Sequence, residues 1–272
     1  MTATTIDRVS TDRGTQPPQI PQIPQIPLSR VVRVELRKMF DTRSGFWLIA
    51  SIAITGLIAT VATIAFAPDQ YLTYYNFTKA VGYPITVILP MVALLSITSE
   101  WSQRSGLTTF TYVSSRRRVV LAKTLSSVTI AVASMVFAFA VGAVGNVAGS
   151  AVAGTPTVWD LSVAHALTIV LGNLISLSLG TMLGMLLRSS AGGLVAYFVV
   201  VLLLPNLSNL LATSQNWFKD LQPWVDLGYA QSFLFEGMHT GAQWAHVATA
   251  VGLWIVLPGV FGLRRVMRSE VK

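Results

Sequence analysis

The chain of 272 residues contains no cysteine, which excludes disulfides and thiolate metal sites. Charge is scarce too. Only 11% of residues are Asp, Glu, Lys or Arg, against roughly 25% in a soluble domain. Acids are scarcer than bases, 11 against 19. No Gly-x-x-x-x-Gly-Lys-Ser/Thr run occurs, so no nucleotide site of the P-loop kind lies in this chain. Gly-x-Ser-x-Gly and His-Glu-x-x-His are also missing. The three histidines, His165, His239 and His246, have no carboxylate or serine beside them at a convincing helical spacing. No catalytic centre, metal site or cofactor of its own is therefore expected.

What the chain does have is apolar sequence. It is 53% hydrophobic, with a mean hydropathy of +0.61, the composition of an all-α integral membrane protein. Six uncharged, mostly apolar runs lie near 46–67, 81–99, 124–149, 161–187, 190–212 and 244–263. About 20 helical residues cross the ~30 Å hydrocarbon core, so each run is a candidate span. The net charge of +8 raises the thought of nucleic acid. The charge lies beside apolar spans and forms no continuous soluble patch, so the expected partner is the lipid bilayer and not nucleic acid.

An even number of spans puts both termini on one side. On that side fall Arg8, Arg13, Arg30, Arg33, Arg37, Lys38, Arg43, Arg104, Arg116, Arg117, Arg118, Lys123, Arg188, Arg264, Arg265, Arg268 and Lys272. Only Lys79 and Lys219 fall on the other. The positive-inside rule then makes both termini cytoplasmic. The first 29 residues have no apolar core, so no cleavable signal peptide is expected and the first span directs insertion. Arg outnumbers Lys by 14 to 5 and Ala and Val abound, as in a GC-rich bacterial gene. The expected location is the bacterial plasma membrane.

Residues 1–29 read as a disordered cytoplasmic tail, with three Pro-Gln-Ile triplets between Pro18 and Pro27 that favour polyproline II and forbid helix. The six-span body covers 30–265, and 266–272 form a short basic cytoplasmic tail. Within the body, 30–43 is expected to be an amphipathic interfacial helix. Leu28, Val31, Val32, Leu36, Met39 and Phe40 share one arc at 100° per residue, with Arg30, Arg33, Arg37 and Asp41 opposite. Val34 interrupts the polar side, and Glu35 sits inside the apolar arc. Residues 100–123 form a basic cytoplasmic loop long enough to hold a short helix. Residues 213–243 combine Trp217, Phe218, Trp224, Tyr229, Phe233 and Phe235 with Asp220, Asp226 and Glu236. That mixture predicts short helices dipping into the outer leaflet or capping the outer mouth.

Prolines 84, 90, 205 and 258 fall within spans and read as tolerated kinks more than as hinges. Gly145 with Gly149, and Gly180 with Gly184, match the small-xxx-small spacing for close helix contact. No Asp, Glu, Lys or Arg is expected deep in a span, which weakens an ion-coupled mechanism.

Three stretches carry a family resemblance. Val34-Glu-Leu-Arg-Lys-Met-Phe-Asp-Thr-Arg43 resembles the juxtamembrane amphipathic helix of ABC-2 type transporter permeases. Ser99-Glu100-Trp101, running on to Gly106-Leu107, is similar to that family's Ser-Glu-x(5)-Gly-Thr/Leu pattern after the second span. Ser115-Arg-Arg-Arg-Val-Val-Leu-Ala-Lys123 resembles its Ser-Arg-Arg-x-Val-Leu-Leu-Gly-Lys run before the third. Val113 stands where the family often has proline, and Ala122 where it often has glycine. The resemblance covers about residues 30–265.

It implies an all-α, six-span fold of ABC-2 type and a non-catalytic subunit of an ATP-driven exporter. It also implies a separate ATPase partner in two copies, which holds ATP and Mg, and a second permease copy or paralogue. Glu100, Arg104, Gly106, Leu107 and Phe110 would then form the ATPase-coupling element. Arg33, Arg37, Arg116, Arg117 and Arg118 would set membrane interface and topology. Thr55, Asn173, Asn206 and Asn209 are the polar side chains expected to line a pathway. The alternatives are an ion-coupled secondary transporter, a polytopic membrane enzyme, and an assembly or immunity-type membrane protein without transport.

Overall fold

The structure, a computed structural model, describes residues 26–102, 116–237 and 240–268. The described residues are almost entirely helical. The first helix, α1 (Leu28–Asp41), ends where Thr42 turns to extended backbone and caps the next helix through its hydroxyl, which accepts from Gly45 N at 3.2 Å. Glycine at 45 permits this turn, because a Cβ there would strike the Met39 carbonyl. The remaining elements are α2 (Arg43–Phe66), α3 (Tyr74–Ser102), α4 (Arg116–Ala153), α5 (Val163–Leu187), α6 (Ser190–Ser214), α7 (Asn216–Val225), α8 (Leu227–Glu236) and α9, which runs through Gly241–Val251, Gly252–Val256 and Leu257–Arg268.

Six of these helices, α2 to α6 and α9, are long and apolar enough to cross a membrane. The sequence boundaries move in two places. The second span begins at Tyr74 and not near 81. The third helix begins at Arg116, so 116–123 are helix and not loop. Arg and Lys are good helix formers whose charged heads reach back to the interface, so basic residues extend a span inward without ending it.

The spans alternate in direction. One end of the bundle gathers α1, Arg117, Arg118, Lys123, Arg188, Arg264 and Arg265. The opposite end carries Lys79, Lys219, Asp69, Asp160, Asp220, Asp226 and Glu236. At that opposite end the Val158 carbonyl accepts from Tyr74 N (3.1 Å) and Asn146 Nδ2 (2.9 Å). The Asp160 carboxylate accepts from Tyr75 N at 2.8 Å, supplying an acid to a helix N-terminus.

Two apolar clusters fill the bundle. One joins α2, α3 and α4 around Val81, Ile85, Leu89, Ala131 and Met135. The other joins α3, α5, α6, α8 and α9 around Leu94, Leu183, Tyr197 and Leu234. α5 is central, with 61% of its apolar window buried, and α6 is peripheral, with 6%. Both small-residue pairs act within the chain. Phe77 packs against Gly145 and Gly149, and the Pro90 carbonyl and Ile97 pack against Gly180 and Gly184. The prolines of the last two spans sit just beyond π-helical turns, Val199–Leu203 before Pro205 and Gly252–Val256 before Pro258. A widened turn moves carbonyls away from a proline ring that would otherwise clash with the residue four before it.

The aromatic segment folds as α7 and α8 at the acidic end. Gln231 on α8 is buried and donates from Nε2 to the Gly172 carbonyl and the Ser176 hydroxyl, both at 2.6 Å. Ser176 lies roughly 20 Å along α5 from its Val163 end. Trp254 Nε1 donates to the Val225 carbonyl at 2.6 Å and ties α7 to α9.

Candidate functional site

At the basic end α1 packs against the start of α4 and against α2. Val31, Glu35 and Met39 are its buried residues, spaced one turn apart. The buried stripe is thus narrower than the apolar arc: Phe40, on that arc, is half exposed, as is Val34 on the polar side, and both can reach acyl chains at an interface. Glu35 is only 3% exposed and Lys123 2%. Lys123 Nζ lies 2.7 Å from one Glu35 oxygen, and Lys38 Nζ lies 2.7 Å from the other. Lys123 Nζ also reaches Ser99 Oγ on α3 at 3.5 Å. One turn further, the Ser126 hydroxyl is 3.2 Å from the Val32 carbonyl of α1 and 2.8 Å from Ala122 O on its own helix.

The physical effect is a clamp. Burying either charge alone costs several kcal/mol, and only the opposed partner with additional hydrogen bonds offsets that cost. Such a pair fixes geometry more than it adds stability. It joins α1, the end of α3 and the start of α4, the two helices that bracket residues 103–115.

Of the residues expected to couple to an ATPase, Arg104, Gly106, Leu107 and Phe110 lie outside the described residues, as do the side chains of Glu100 and Arg116. Arg33 and Arg37 are exposed on α1, and Arg37 Nε pairs with Asp41 at 3.2 Å. Arg117 is exposed and Arg118 half-buried on α4. Glu35 and Lys123 were not among the expected site residues. The signal for Glu35 was present, a carboxylate on an apolar arc. Lys123 was read as the end of a loop, although it sits within Val119-Val-Leu-Ala-Lys-Thr-Leu125, a run otherwise free of charge.

The four polar side chains expected along a pathway do different things. Thr55 donates to the Ser51 carbonyl (2.6 Å), Asn206 bonds the Leu202 carbonyl of its own helix, and Asn209 accepts from Gln222 Nε2 (2.8 Å). Asn173 is buried on α5 and lines a cavity. His165 Nε2 donates to the Phe235 carbonyl (2.9 Å). The His246 ring stands edge-on to Trp224 at 4.4 Å between centroids. His239 lies outside the described residues. Among the described residues no three His, Asp or Glu side chains converge as a metal site.

Compared with known proteins, the chain matches no family model and no curated protein.

Proposed function

We propose that the chain is the membrane subunit of an ATP-driven transporter of ABC-2 type, exporting an apolar or amphipathic cargo. In this reading the basic end is cytoplasmic in a bacterial plasma membrane. Two separate ATPase subunits dock beneath it and hold ATP and Mg. A second permease copy or a paralogue completes the pathway. This chain performs no hydrolysis.

The observation that carries the reading is the clamp at the basic end. A coupling element has to be compact and rigidly joined to the spans it moves. The segment 103–115, whose flanks Ser99-Glu100-Trp101 and Ser115–Lys123 resemble the coupling region of the family, is bracketed by α3 and α4. α4 is tied to α1 by the Glu35–Lys123 and Val32–Ser126 contacts, and to α3 by Lys123–Ser99. A push on 103–115 would therefore move α1, α3 and α4 as one body, and α3 packs against the central α5. Aromatic and apolar side chains in the segment, such as Leu107 and Phe110, supply anchors of the kind that concentrate interface energy.

The test is co-purification of the tagged protein from its native membrane, followed by an ATPase assay of the complex. An ATPase subunit should co-elute, and Glu100→Ala and Phe110→Asp should reduce that association while insertion stays normal. Cargo movement by the purified chain with no nucleotide-hydrolysing companion would end the reading.

A further inference from the structure

At the end of the bundle opposite the clamp, α3, α5 and α8 enclose a cavity of about 250 Å³. That is smaller than the roughly 300–1,000 Å³ of a pocket that engulfs a whole ligand. It suits part of a molecule whose remainder lies elsewhere. Tyr83, on its lining, is 74% exposed within a candidate span, so the cavity opens sideways at the flank of the bundle.

Its chemistry is graded with depth. Near the α3 start are two exposed charges of opposite sign, Lys79 and Glu236. Among the described residues neither belongs to an ion pair, and Lys79 stands 5.7 Å over the Tyr75 ring. The middle is apolar, walled by Ile169 and Phe235. The floor is polar and lies roughly 18 Å along α3 from Tyr74. There the Thr86 hydroxyl is 3.1 Å from Asn173 Oδ1, and Asn173 Nδ2 donates to the Ile169 carbonyl at 2.9 Å. Asn173 is 1% exposed.

The wall is fixed in place. The Phe235 carbonyl meets both Tyr75 Oη (3.0 Å) and His165 Nε2 (2.9 Å). The Phe235 ring lies against Gly172, where a Cβ would approach to 2.9 Å. The cavity is therefore built into the packing of α8 on α3 and α5.

We propose that this cleft binds a phospholipid whose head carries both a primary ammonium and a phosphodiester. The ammonium meets the Glu236 carboxylate and the phosphodiester meets Lys79. The acyl chains run down the apolar middle, past Ile169 and Phe235, and leave by Tyr83. A phosphatidylglycerol head satisfies Lys79 but offers Glu236 only neutral hydroxyl donors, where the ammonium offers charge-assisted ones. The dual charge is what selects the zwitterion.

The experiment titrates the full-length protein in mild detergent with defined lipids and reads retained lipid by native mass spectrometry. Phosphatidylethanolamine should be retained roughly tenfold better than phosphatidylglycerol, the worth of one charge-assisted hydrogen bond. Glu236→Gln, at an exposed site, should erase that preference. Gly82 lines the cavity and faces open space, so Gly82→Leu should fill it, keep the thermal unfolding temperature and lose the retained lipid. Glycerophosphoethanolamine, the head without chains, should not displace it. Equal retention of the two lipids, retention unchanged by Gly82→Leu, or displacement by the free head would each overturn the proposal. No readout involves an ATPase, so failure here is distinct from failure of the coupling reading.

Discussion

The Glu35 carboxylate and the Lys123 ammonium meet at 2.7 Å in the interior, across 88 positions of sequence. Each is nearly inaccessible to solvent. Removing Glu35 takes from the buried Lys123 ammonium its 2.7 Å carboxylate, at a cost of up to about 3–5 kcal/mol, whereas removing Lys123 leaves Glu35 its Lys38 partner at 2.7 Å. Both Glu35→Leu and Lys123→Met should therefore lower the unfolding temperature in detergent, Glu35→Leu by more. Their combination should recover most of the loss, because an apolar pair of similar volume replaces a costly one. Simple addition of the two single losses would show that the pair does not act as a unit.

The six spans were legible because each is a long uncharged run, and length alone separates such a run from a core helix. The side-to-side charge asymmetry was legible for the same local reason. The first turns of α3 were not. Tyr75, Asn76, Thr78 and Lys79 precede the apolar run near 81–99, and what makes them helix is tertiary: an Asp160 cap and the burial of Phe77. Glu35 was visible as an anomaly, but its partner could not be read from a pattern that sees only neighbours along the chain. The docking of Gln231 under α5 was hidden likewise, since nothing in 213–243 points to Gly172 or Ser176. The π-helical turns before Pro205 and Pro258 could not be separated from ordinary helix by composition.

Gly180 should be intolerant. A Cβ there runs into the Pro90 backbone carbonyl, a group that cannot rotate away. Gly180→Ala should separate α3 from α5 and lower thermal stability by a few kcal/mol, about the cost of overpacking a core. Gly241 is the control, because a Cβ there meets nothing. Gly241→Ala should be neutral or stabilising by up to about 1 kcal/mol, the difference in helix propensity.

Arg188 ends α5 in the left-handed region, with φ 54° and ψ 26°. A side chain there costs roughly 1–2 kcal/mol relative to glycine. Burial, and then repulsion from Arg265, hold its guanidinium below the usual arginine range, so the charge is disfavoured where it stands. Arg188→Gly should raise the unfolding temperature. Arg188→Ala, which removes the charge and keeps the strain, should raise it less. A lower unfolding temperature for Arg188→Gly would mean that the guanidinium is held by contacts worth more than the strain.

The Phe235 carbonyl is shared by Tyr75 and His165, which gives His165 a structural task. Tyr75→Phe or His165→Ala alone leaves one donor on the carbonyl and should cost about 1 kcal/mol. Both together leave a part-buried carbonyl without either donor, so the double variant should lose more than the sum and speed amide exchange in α8. His165→Gln keeps a donor near the position of Nε2 and should restore stability in the Tyr75→Phe background. Replacing His165, His239 and His246 together by Ala should leave nucleotide-driven transport by the reconstituted complex intact. A membrane enzyme that used these imidazoles as acid or base would lose its activity and would not be rescued by glutamine, which titrates nowhere near neutral pH. Rescue by Gln separates the two readings, because a carbonyl latch needs only an N–H at the right place.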